Sequence, residues 1–154
     1  MIKTLTGDIH PASSCCKAVI TICDLYGNCC KTTSKGQGLD DLSKDDRERG
    51  NVDVFQGKHM LDTCSQVTRV SRMFLYCNFQ PRLRQDKTLK VTLDITGGQC
   101  STDGWFVDWI KIHLGKWSYH CNVYSWFDNG QDQAGPPRQS FNCERNVLLN
   151  QLGK

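Results

Sequence analysis

The chain has 154 residues, a length at which one domain is the default and roughly 70% of the unfolded surface becomes buried. Its 19 Lys and Arg are scattered among 16 Asp and Glu, for a net charge of +3; this leaves no broad basic stripe for nucleic acid, and no apolar run approaches the ~18 residues of a membrane-spanning helix. Ten cysteines with no C-x-x-C pair among them argue against zinc and for up to five disulfides, formed in an oxidising compartment outside the cell.

Met1 to Leu5 lacks the apolar core of a signal peptide, so the chain is read as a mature secreted form with an added Met1. Two doublets, Cys15-Cys16 and Cys29-Cys30, bracket the first apolar run. Within it Ala18 to Leu25 is rich in β-branched residues and reads as a strand, ending at the turn signal Tyr26-Gly27-Asn28. Asp40 to Arg49 holds a short helical turn at most. Val67 to Cys77, with Val70, Met73, Leu75 and Tyr76, is apolar enough for one or two strands. Arg82 to Lys90 is the richest basic stretch and has the character of a solvated loop. Leu89 to Ile95 alternates cleanly, with Leu89, Val91, Leu93 and Ile95 on one face. After turns at Gly97-Gly98 and Asp103-Gly104, Trp105 to Leu114 alternates again, and Lys116 to Cys121 is a further short strand. Gly130 to Ser140, containing Pro136-Pro137, reads as a loop leaving the main body, with Cys143 tying the tail, Phe141 to Lys154, back to it.

The dominant period is two. Several short strands separated by turns predict an all-β, antiparallel fold of the sandwich or barrel type, reinforced by disulfides. The main body covers residues 1–130, and residues 131–154 form an extension docked through Cys143.

Several segments, in this order, resemble the PLAT (lipoxygenase-homology) domain family. Asp45-Asp46-Arg47-Glu48-Arg49-Gly50-Asn51-Val52-Asp53-Val54-Phe55 resembles its E-R-G-x-x-D-x-F signature. Thr6-Gly7-Asp8 resembles its opening element, and Val19 to Gly27 its second strand and turn. Asp103 to Ile110 resembles its D-x-W-x-x-x-x-I strand, and Trp117 to Cys121 followed by Trp126-Phe127-Asp128 its ending. The resemblance covers residues 4–128. It departs from the family where a Gly-Thr-Asp-like loop is replaced by Ala12-Ser13-Ser14-Cys15-Cys16. The resemblance implies a two-sheet β-sandwich without catalytic activity, which docks onto a protein partner or a lipid-bearing surface.

It also implies a candidate calcium site at Asp45, Asp46 and Glu48, with Asp103 adding a ligand. Calcium takes six to eight oxygens, and three carboxylates in four residues would supply part of that shell. The competing reading is a solvated acidic loop. Arg49 and Asp53 are read as a polar network anchoring the signature loop. Trp105, Trp109, Trp117 and Trp126 are read as core or sheet-face residues. Because Trp105 and Phe106 point to opposite faces of one strand, one of the two rings lies outward or under a loop. The first loop, Ile9 to Ser14, offers only Ile9 and Pro11 for membrane insertion. His10, His59, His113 and His120 are scattered, and Cys121 beside His120 is read as half of a disulfide rather than a nucleophile. No G-x-S-x-G elbow or H-E-x-x-H helix occurs. The functional expectation is therefore a secreted binding module, not an enzyme, with calcium assistance. The alternative is a durable structural or storage protein of a matrix, egg, mucus or venom, in which self-association is possible.

Overall fold

The computed structural model describes residues 1–8, 17–32, 39, 47–55, 63–65, 87–96, 104–114, 117–128 and 135–146. They form nine strands: β1 (Ile2–Thr6), β2 (Lys17–Cys23), β3 (Cys29–Lys31), β4 (Val52–Phe55), β5 (Thr63–Ser65), β6 (Thr88–Thr96), β7 (Trp105–Leu114), β8 (Trp117–Phe127) and β9 (Arg138–Asn146). Every neighbouring pair is antiparallel, in the order β4-β1-β7-β8-β9-β6-β2-β3-β5.

Alternation of residue type decides which side of each strand faces the interior. Ala18, Ile20 and Ile22 of β2 and Leu89, Val91, Leu93 and Ile95 of β6 point to one face and are buried. Ile110 and Ile112 of β7 and Tyr119, Cys121, Val123 and Phe127 of β8 do the same on the other arm. All belong to one apolar cluster, so the sheet curls until its two arms close on a shared core. Each fully buried Ile or Leu contributes about 1.5–3 kcal/mol, and this cluster is the main stabilising term.

The all-β, antiparallel, disulfide-bonded class expected from the sequence is the one observed, but the two arms are not separate sheets. Three residue pairs, Ser118–Asn146, Tyr119–Arg145 and His120–Glu144, join β8 to β9 and make one continuous hydrogen-bonded sheet. The next pair along is the Cys121–Cys143 disulfide. Phe127 and Phe141 meet at 6.0 Å between ring centroids, also across the join. Residues 138–146, assigned to a docked extension by sequence, thus form a strand between β8 and β6. Cys143 of this strand is bonded to Cys121 of β8.

Strand β8 runs to Phe127, six residues beyond the predicted end at Cys121. It carries a bulge: Val107 and Trp109 of β7 pair with Ser125 and Asn122, so two residues of β8 oppose one of β7. Tyr124 lies in this bulge with a positive φ of 42°. The predicted strand or strands in Val67 to Cys77 lie outside the described residues.

The pairing also sets the two ends of the molecule. The starts of β1, β6 and β8 and the ends of β2, β7 and β9 lie at one end, with the β2–β3 hairpin; the end of β1, the start of β7 and the signature loop lie at the other.

Candidate functional site

The signature loop is held by a buried arginine. Arg47 donates its backbone N–H to the Asp53 carboxylate at 2.6 Å and its guanidinium to the carbonyl of Leu39. Its guanidinium carbon stands 5.9 Å from the centroid of the Trp105 ring, a cation–π contact. Asp53 is buried on β4, and Leu39 closes the set by donating its N–H to Ala18. The sequence reading assigned this anchoring role to Arg49 with Asp53. Asp53 has it, but Arg49 is exposed and pairs at 3.3 Å with an exposed Asp8. The Arg-Gly step has a local cause: Asn51 N–H bonds to Glu48 C=O, and Gly50 within that turn has φ of 72°, a conformation open to glycine at no steric cost.

Of the candidate calcium ligands, Glu48 is exposed in this turn, while Asp45, Asp46 and Asp103 lie outside the described residues. The greater part of the predicted helical turn, Asp40 to Arg49, lies outside them too, as does the first loop, Ile9 to Ser14. Among the described residues no group of three or more His, Cys, Asp or Glu is placed to hold a metal.

At the opposite end the β2–β3 hairpin presents two adjacent large apolar side chains, Leu25 at 69% and Tyr26 at 70% exposure. They are not loosely held. The Cys23–Cys29 disulfide closes the strand ends below them. The Asp24 carboxylate, buried under the turn, accepts Tyr26 N–H and Asn28 N–H at 2.9 Å each and the Asn28 side-chain amide at 2.7 Å. Asp24 N–H also bonds to the carbonyl of Asn28 at 3.0 Å. A disulfide, a carboxylate with three donors and a backbone bond therefore fix a tip that holds two large apolar side chains largely in water. Sequence reading took Tyr26-Gly27-Asn28 as a turn but passed over Leu25 and Tyr26 as surface. The signal was there, in two large apolar residues beside a turn and between cysteines.

Trp105 is fully buried and donates its indole N–H to Thr6 Oγ1 at 3.0 Å. Phe106, on the other face, is buried outside the core, edge-on to Tyr124 and Trp126 at 5.1 and 5.2 Å. It lies directly against Gly7, where an added Cβ would come 2.4 Å from its ring. The ring expected outward or under a loop is thus Phe106. Trp109 lies on the outer face with the Lys111 ammonium 4.4 Å from its centroid. Trp117 packs against the core edge beneath the Arg145 guanidinium at 4.1 Å.

His120 Nε2 lies 2.9 Å from Asn122 Oδ1, and the neighbouring Cys121 is in the disulfide with Cys143, so the two do not form a thiol–imidazole pair. His113 is held below its ordinary pKa, first by burial and then by the positive charges of Lys3, the N-terminal ammonium and Lys111. Cys30 is disulfide-bonded as well.

These features define an antiparallel, disulfide-bonded β protein with a braced apolar tip at one end and an arginine-anchored loop at the other. No protein-family model and no curated protein matches the chain. Among solved structures it is similar to the lipoxygenase crystal structure Delta413-417:GS LOX, with a TM-score of 0.50 and 16% sequence identity. The likeness covers 92% of this chain and 16% of that one. At this identity it shows the fold alone.

Proposed function

We propose that the chain is a secreted, PLAT-like docking module without catalytic activity, which attaches to a protein partner or a lipid-bearing surface. The observation that carries this reading is the tip, Leu25-Tyr26. Two large apolar side chains held in water by a disulfide and a buried carboxylate are costly unless something covers them. The likeness of fold to part of a lipoxygenase is in keeping with a PLAT-type module. A calcium site at Asp45, Asp46, Glu48 and Asp103 belongs to this reading as a separate element, and the calcium and chelator arms of the test decide whether it assists docking.

The test compares the wild type with the double variant Leu25→Ser, Tyr26→Ser. Co-sedimentation with vesicles of total lipid extract, and cross-linking to extracellular proteins, are each run with calcium and with chelator. The variant keeps its melting temperature and loses the binding. A variant that binds everything the wild type binds ends the reading.

A second reading, a durable structural or storage protein, is favoured by the same disulfides. Under it the natural material self-associates tightly and leaves lipid alone, which size-exclusion chromatography with the same vesicle assay separates from docking.

A further inference from the structure

The strand register sorts the charged residues of this protein by end. Lys3 pairs with Lys111 across β1–β7, Lys90 lies opposite Cys23 at the base of the hairpin, and Arg145 lies opposite Tyr119 in the same half. Lys87 precedes β6, and its carbonyl accepts the N–H of Arg145 at 2.8 Å. All are on the side of the sheet where the tip projects. Among the described residues the acidic groups there are Asp24, consumed inside the turn, and Glu144. The other described acids gather towards the far end: Asp8 and Glu48 beside the signature loop, Asp53 on β4, Asp94 near the end of β6, Asp108 in the first half of β7 and Asp128 just after β8. The side-chain ion pairs Arg49–Asp8 and Arg138–Asp94 are at that far end too. No ion pair between described residues engages Lys3, Lys87, Lys90 or Lys111.

We propose that the β2–β3 hairpin end docks, without calcium, onto a bilayer rich in anionic phospholipid, with Leu25 and Tyr26 entering the acyl boundary and Lys3, Lys87, Lys90 and Lys111 facing the headgroups. The proposal rests on the docking reading above and names its partner and its end. Charge complementarity is one argument: an excess of cations lies in the half of the sheet from which the apolar tip projects. Shape is the other. The two side chains stand out from a convex turn, which a fluid apolar layer accommodates without a preformed pocket. Glu48, the described one of the calcium candidates, is at the other end.

The experiment uses the full chain in EDTA, with vesicles of phosphatidylcholine alone and of phosphatidylcholine with one third phosphatidylserine. The wild type sediments with the second kind only, and added salt weakens it. Each of Lys87→Gln and Lys90→Gln lowers the partition coefficient about fivefold, and melting curves confirm that these exposed substitutions leave the fold intact. Leu25→Ser with Tyr26→Ser removes binding to the phosphatidylserine vesicles. Equal binding to both vesicle types, lost in the tip variant, overturns the anionic inference and leaves the docking reading standing. Binding that appears only when calcium replaces EDTA overturns it in favour of the signature end. Capture by a soluble sulfated polysaccharide, abolished by the lysine substitutions while vesicles are ignored, assigns the cations to a different partner and overturns it as well. Absence of binding to every vesicle also overturns it, and the cross-linking arm of the earlier test then decides the docking reading by itself.

Discussion

A single carboxylate determines how the tip is presented. Asp24 is buried and has three donors, two of them backbone N–H groups that the turn would otherwise leave unsatisfied. Asp24→Ala removes the acceptor but not the donors, and such a loss costs about 1–3 kcal/mol. Urea denaturation of the variant is expected to show that decrease with an unchanged slope, and docking should weaken in parallel because Leu25 and Tyr26 are no longer fixed. His113 gives a prediction with a definite sign. Its folded pKa is depressed, so as pH falls below about 6.5 the unfolded chain takes up a proton that the folded chain resists. Stability is therefore lost on the acid side. His113→Gln should flatten the drop between neutral and mildly acid pH, and Lys3→Gln or Lys111→Gln should move the His113 midpoint, followed by NMR, upward. The residue scale is also where the sequence is least informative. Arg47 and Arg49 flank one Glu in the signature, and nothing in their type says which is buried. The positive φ of 64° at Arg47 carries no marker of the kind that glycine supplies at Gly50.

At the scale of elements, the join between the arms depends on a short ladder and one covalent bond. Cys121 and Cys143 are 22 residues apart, and closing a loop of that length contributes about 3 kcal/mol in the chain-entropy account. The double variant Cys121→Ser, Cys143→Ser should lose about that much in denaturant titration, more than the about 2 kcal/mol expected from replacing Cys23 and Cys29, six residues apart. Equal losses would show that strand packing, not chain closure, sets the contribution. The same elements show what the sequence makes legible. Strands β2 and β6 were readable because their inward positions are nearly all Ile, Val or Leu, so the period of two stands out; β7 was readable as a strand, but its inward set shifts from Trp105 and Val107 to Ile110 and Ile112 across a register irregularity, which puts Trp109 outward against the alternation read from sequence. Strand β9 was not: its inward positions are Gln139, Phe141, Cys143 and Arg145, and only half of them look like core. Pro136-Pro137 just before it strengthens the impression of a loop. Strands β3 and β4 are too short, at three and four residues, to show any period at all.

For the whole molecule the antiparallel register separates two surfaces that might otherwise be merged into one site. The signature loop, with Arg47, Glu48 and Gly50, belongs to the end where β1 finishes; the braced tip belongs to the end where β1 begins. Any ligand of the first and any ligand of the second are separated by the length of the sheet and share no side chain. Energetic terms from such distant sites add. If calcium binds Asp45, Asp46, Glu48 and Asp103, millimolar calcium raises the melting temperature by mass action on the folded state. That increment should be the same in the wild type and in the Leu25→Ser, Tyr26→Ser variant, and should vanish when Asp45 and Asp46 are both changed to Asn. A melting temperature identical in calcium and in chelator removes the metal from the account. An increment that shrinks in the tip variant would mean that the two ends are coupled, and the separation argued from the register would then fail.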